Sequence, residues 1–287
     1  MGLPEKQQFN YVLFGIGVVA VVANSLLMWI ARCLKDHSKE IQFAMMLACV
    51  DMGLGLLIIL TSLMNSHFHE NLDLFQTFCM IKGPIDFILL FLSLVLVAII
   101  AMERLCKVKD TSIPRPVWIA IGTCTAIYTT LVAIAAIRGE FSASISGCDC
   151  TPAINESLLS ACVVFALGFF MALSLVAAVF SYICILGLVK KARAKRGDYP
   201  KHSSAILRVI TISFIYFSLI APSSILIMME GTRSHFSSHI LDIVISILNA
   251  LNSIANPCLI LFAHSLIFDQ LKSSFQPKSH FASLSNS

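Results

Sequence analysis

The sequence predicts an all-α membrane protein built as a bundle of seven spanning helices. Three observations predict it. The chain of 287 residues is 57% hydrophobic and only 13% charged. A soluble domain is about 45–50% apolar and about 25% charged, so one buried core cannot hold this much apolar material. Seven mostly apolar runs reach the roughly 20 residues that a bilayer-crossing helix needs. The basic residues cluster on alternate connections, as they do when one face of a membrane protein meets the cytosol. Together these exclude a disordered chain, a disulfide-rich mini-protein and a nucleic-acid binder.

The runs fall at 9–31, 41–64, 79–103, 116–138, 158–189, 204–229 and 238–263. The first is followed by Arg32, Lys35 and Lys39 and carries Asn24 deep inside, which fits a span and not a cleaved leader. The second holds Asp51 near its middle. The third runs from Cys79 through Asp86 and Ser93 to Glu103-Arg104. Trp118 opens the fourth, at the depth of an interfacial aromatic belt. The fifth leads into a connection, Lys190 to Arg208, with seven basic residues. Pro222 in the sixth and Pro257 in the seventh are tolerated in membrane helices. Residues 1–8 form a short N-terminal segment, 9–263 the bundle, and 276–287 a flexible serine-rich tail.

Connections one, three and five and the C-terminal tail hold three, four, seven and two basic residues, sixteen of the twenty. The N-terminus is therefore expected outside and the C-terminus in the cytosol of a plasma-membrane protein. Asn155-Glu156-Ser157, in an outer connection, is a glycosylation acceptor. The outside is oxidising, so Cys79 is expected to bridge to Cys148 or Cys150.

Polar groups inside the spans are costly, about 2.5–3.5 kcal/mol for a charge near the bilayer centre, and mark function. Asp51 is the foremost. Asn252 and Asn256 share a face of span seven, and with Asp51 they make an internal polar cluster. Asp86 needs a cationic partner, supplied either by a ligand or by Lys82 one turn away. No nucleophile, metal-protease or phosphate-loop motif is present, so intrinsic catalysis is not expected.

These residues, taken in order, resemble the class A (rhodopsin-like) G protein-coupled receptors. The matching positions are Asn24; Leu47 with Asp51; Cys79; Glu103-Arg104-Leu105; Trp118; Tyr182; Pro222; and Asn252-Ser253-Ile254-Ala255-Asn256-Pro257. The resemblance implies a sodium pocket at Asp51, Ser93, Asn252 and Ser253, with Na+ as an allosteric ion. It implies G-protein coupling through Glu103, Arg104, Tyr182, Asn256 and Pro257, with Glu103 holding Arg104 at rest. It implies ligand contacts at Asp86, Leu90, Glu230, Asp242 and Ser246. A short amphipathic eighth helix over 264–275, carrying Leu266, Ile267, Leu271 and Phe275, would lie on the inner leaflet. The tail serines would recruit arrestin. The sequence departs from the family pattern at Leu105, Ser174, Tyr216, Ile220, Ala250 and Ile260, so its activation relay is altered. Span seven has no lysine for a retinal Schiff base.

The expected function is a receptor that binds an extracellular cationic ligand, an amine or a basic peptide, and activates a heterotrimeric G protein. Asp86, Glu230 and Asp242 make an acidic mouth suited to such a ligand. The alternatives are a proton or zinc sensor using His67, His69, His235 and His239, and a cation transporter or channel using Asp51 and Asp86.

Overall fold

The computed structural model describes residues 3–33, 38–67, 72–144, 149–153, 157–196, 211, 214–215, 218–222, 224–229 and 239–263. The helices are α1 (Leu3–Cys33), α2 (Lys39–His67), α3 (Leu72–Val108), α4 (Arg115–Ile137) and α5 (Leu158–Arg196), then α6 (Ser218–Met229) and α7 (His239–Ala263). Six of them, all but α6, are long and apolar enough to cross a bilayer. α6 is the described part of the sixth expected run; most of 204–217 lies outside the described residues, as does the whole of 264–287 with its expected eighth helix.

α1 is helical from Leu3 and α3 from Leu72, so both spans begin earlier than their apolar runs. Polar residues such as Glu5, Lys6 and Asp73 do not stop a helix whose next turns are already fixed by packing. The ends have local causes. Asp110 adopts a left-handed φ of 56°, and Thr111 N–H closes back on Cys106 C=O at 2.9 Å, which finishes α3. Gly139, at φ 69°, ends α4 and turns the chain into a strand.

That strand was not expected. β1 (Phe141–Ala143) pairs antiparallel with β2 (Cys150–Pro152), Phe141 opposite Pro152 and Ala143 opposite Cys150. The fold is an all-α bundle with one small hairpin at one end.

α3 is the central element: it packs on α2, α4, α5 and both strands. Half of its spanning window is buried, against 17% for the peripheral α4. Phe91 of α3 stacks on Tyr128 of α4 with centroids 4.4 Å apart, and Phe170 of α5 meets Phe91 edge-on at 5.1 Å. Such pairs contribute about 0.5–1.5 kcal/mol each beyond area burial. Ser174 of α5 donates to the Leu94 carbonyl of α3 at 2.6 Å. Ser174, one of the expected departures from the family pattern, thus ties α5 to α3.

α1 and α2 approach most closely through glycine. A Cβ on Gly17 would meet Ile59 Cγ1 at 2.9 Å and the Gly55 carbonyl at 3.0 Å, and one on Gly55 would meet the Gly17 carbonyl at 3.1 Å. Small residues let membrane helices come together backbone to backbone. α1 also leans on α7, where Asn24 donates to the Ser253 carbonyl at 3.0 Å.

Candidate functional site

Three polar centres lie along the bundle: one under the hairpin, one midway and one at the opposite end.

The hairpin is fastened to a single face of α3, because helix residues three or four apart point the same way. Gln76 donates to the Phe141 carbonyl at 3.1 Å and accepts from Ala143 N–H at 3.4 Å, so its amide acts as a short third strand. Cys79 is bonded to Cys150, which chooses Cys150 of the two expected partners; Cys148 lies outside the described residues. Gly83 admits Phe141, whose ring would lie 2.5 Å from a Cβ there. Lys82 forms ion pairs with both Asp86 and Asp149. On the far side, Ser160 at the start of α5 donates to Glu140 at 2.7 Å. Partial burial works against the ionised Glu140, but Ser157, Ser160 and the nearby Arg138 outweigh it and hold its carboxyl below its ordinary value.

Asp149 is the hairpin's contribution to the site. Its Oδ1 accepts from Cys150 N–H at 2.8 Å, and its Oδ2 accepts from Ser246 of α7 at 3.4 Å. Beneath it lies an open cavity bounded by α1, α2, α3, α5, α6, α7 and β2. Of the expected ligand residues, Asp86, Leu90 and Ser246 line it. Glu230 lies outside the described residues, and so does the side chain of Asp242, though its backbone belongs to α7. The side chains of His67 and His239, and all of His69 and His235, fall there too, as does Asn155. Of the two cationic partners open to Asp86, the structure supplies the protein's own, Lys82, which is 3% exposed.

Midway along, Asp51 is fully buried. Ser93 of α3 donates to its Oδ1 at 2.7 Å and Asn256 of α7 to its Oδ2 at 2.8 Å. Asn256, expected in this cluster as well as among the coupling residues, belongs to the cluster, one turn beyond Asn252 on the same helix face. The backbone carbonyl of Ser253 accepts from Asn24. No lysine or arginine pairs with Asp51 among the described residues. Asn24 Oδ1 and Asn252 Oδ1 are buried acceptors with no partner among them. The carboxylate, the hydroxyl and the orphaned amide oxygens are all hard oxygen donors, the kind that suit a hard cation.

At the opposite end, Arg104 is the organising residue. Its Nε donates to Glu40 of α2 at 2.6 Å, and its Nη1 to the Tyr182 hydroxyl of α5 at 3.1 Å. Lys107 approaches the other Glu40 oxygen at 3.8 Å. This corrects the expectation that Glu103 restrains Arg104: Glu103 makes no polar contact among the described residues. Sequence reasoning missed Glu40; its only signal was an acidic residue in the first turn of α2. Tyr182, expected among the coupling residues, bonds to Arg104. A small cavity adjoins the pair, lined by Leu47, Val97, Ile100, Leu259 and Ile260. Pro257 is buried within α7 and takes no part in this contact.

A membrane bundle with a capped, charged cavity at one end, a buried carboxylate midway and a restrained arginine at the other has the layout of a transmembrane receptor. The chain belongs to the seven-transmembrane receptors of the rhodopsin family, whose sequence profile matches residues 23–260. Among solved structures it is similar to the crystal structure of squid rhodopsin, with a TM-score of 0.70 at 16% identity, over 96% of this chain and 86% of that one. At that identity the likeness is one of fold. No curated protein sequence matches the chain. Membership makes the chain a multi-pass membrane receptor and not an enzyme, and it sets aside the transporter or channel reading.

Proposed function

We propose that the chain is a plasma-membrane receptor, with its hairpin end outside the cell, that binds a cationic ligand and activates a heterotrimeric G protein at its Arg104 end. The observation that carries this reading is the cavity beside Lys82, Asp86 and Asp149. Its described charged lining holds two carboxylates and one ammonium, a net negative charge that attracts a cation and repels an anion. Asp86 offers it one oxygen, since Lys82 takes only the other.

Binding under the hairpin draws on α3, α7 and the loop at once, so a ligand that prefers one arrangement of these helices shifts the bundle between two states. Asp51, Ser93 and Asn252 would hold Na+, which would supply positive charge to a buried carboxylate that lacks it. At the other end, Arg104 leaves Glu40 and Tyr182 to meet the G protein, and the serine-rich tail serves arrestin.

The test is a G-protein dissociation assay in cells expressing the chain, with a panel of Gα subunits and a panel of amines and basic peptides. Arg104→Ala is expected to abolish activation while surface expression is retained. Unchanged activation in that variant would remove the coupling mechanism.

A further inference from the structure

Among the described residues that line the hairpin-end cavity, three carry charge, and they form one unit. Lys82 sits between Asp86 and Asp149 and is buried. A buried ammonium stays where opposite charge holds it, and two carboxylates hold this one. Asp149 is further occupied by Cys150 N–H and by Ser246. Asp86 is not: its Oδ2 faces Lys82, and its Oδ1 takes no hydrogen bond from any described residue. The unit therefore has one net negative charge and one open acceptor. The rest of the described lining carries no charge: it is mostly apolar, including Phe87, Leu90, Ile227 and Ile245, with Thr61, Thr151 and Asn249 among its neutral polar side chains.

We propose that this cavity takes a ligand with a single positive charge on an apolar body, and that Lys82 sets that limit. The inference rests on the cationic-ligand reading above and narrows it. One ligand ammonium at Asp86 Oδ1 brings the unit to neutrality, two cations against two carboxylates. A second ligand cation would find that place filled by Lys82 and would meet no further carboxylate among the described lining residues, which is costly. Lys82 is thus a built-in counter-ion that discriminates against diamines and polybasic peptides. Removing it leaves two carboxylates and room for a dication.

The test uses the full chain purified in detergent and three probes of one shape. These are 2-phenylethylamine, its para-aminomethyl derivative with two cationic nitrogens, and neutral 2-phenylethanol. Dissociation constants are read from ligand-induced shifts in melting temperature. The parent is expected to be stabilised by the monoamine alone. Asp149→Asn makes the unit neutral and should weaken the monoamine about tenfold or more, while its amide oxygen still accepts from Cys150 and Lys82. Lys82→Met should shift the ratio of the two amine dissociation constants about tenfold or more towards the diamine. Should Lys82→Met fail to fold, Asp149→Asn carries the test. A diamine that binds the parent as tightly as the monoamine, or a monoamine indifferent to Asp149→Asn, overturns the inference and leaves the receptor standing. If none of the three probes binds the parent, the cationic-ligand reading falls and this inference with it.

Discussion

Glu103 and Arg104 are neighbours in the chain, and on a helix that keeps their side chains apart. With 3.6 residues per turn, successive positions point about 100° away from each other. Arg104 faces inward between α2 and α5, and Glu103 does not follow it. The carboxylate that reaches Arg104 comes instead from Glu40, on another helix and 10% exposed. A charge-assisted hydrogen bond of this kind contributes about 1.5–3 kcal/mol. If it restrains the resting receptor, Glu40→Gln should raise basal nucleotide exchange about fivefold or more, and Glu103→Gln should leave it near the parent. Exchange measured on membranes without ligand decides this; equal effects from the two variants would show that Glu40 has no special hold on Arg104. The sequence announces Arg104 through the Glu103-Arg104-Leu105 motif at the end of the third run. It does not announce Glu40, because a contact between two helices depends on how each is rotated, and an acidic residue in a first helical turn is common.

The hairpin is the element the sequence conceals. Strands of three residues are too short for the alternation that reveals a strand, and the pairing of Phe141 with Pro152 brings together residues 11 apart across a loop. Its fastening was half legible. Cys79 was expected to bridge to this loop, and once the bridge falls on Cys150 the adjacent Asp149 is carried to Lys82. Asp149 is a site residue that only the bridge could have pointed to. The same bridge closes a separation of 71 residues, and losing a bridge of that kind costs about 2–5 kcal/mol. Cys150→Ser should therefore lower the melting temperature and surface expression, and Cys148→Ser should leave the bridge intact. Flow cytometry of the two variants beside the parent measures the difference. Matching losses would mean that either cysteine can serve Cys79.

Across the whole molecule, six of the seven expected spans are long apolar helices among the described residues, and they were legible because a bilayer imposes one length and one polarity on each. The polar positions inside them were legible because each is expensive. The linkage between ends was not, since Asp51, Ser93 and Asn256 come from three helices and no local pattern assigns their partners. Their cluster stands between the hairpin-end cavity and Arg104, on the same helices that build both. If a sodium ion there favours the resting arrangement, replacing Na+ by K+ should change the apparent agonist affinity of the parent about fivefold. Asp51→Asn should make that affinity indifferent to the exchange. A variant that keeps the parent's salt response would take the cluster out of the switching path.

The glycine contact between α1 and α2 bears on how the receptor is made. These two helices are consecutive in the chain and joined by a short connection, so their close seam can form before the helices that follow them exist. The seam depends on the absence of two side chains, at Gly17 and Gly55. A bulky residue at either would be felt during biogenesis, as a helical pair unable to assemble on insertion. Such a receptor would be retained and degraded early, and would never be put to the question of what it binds.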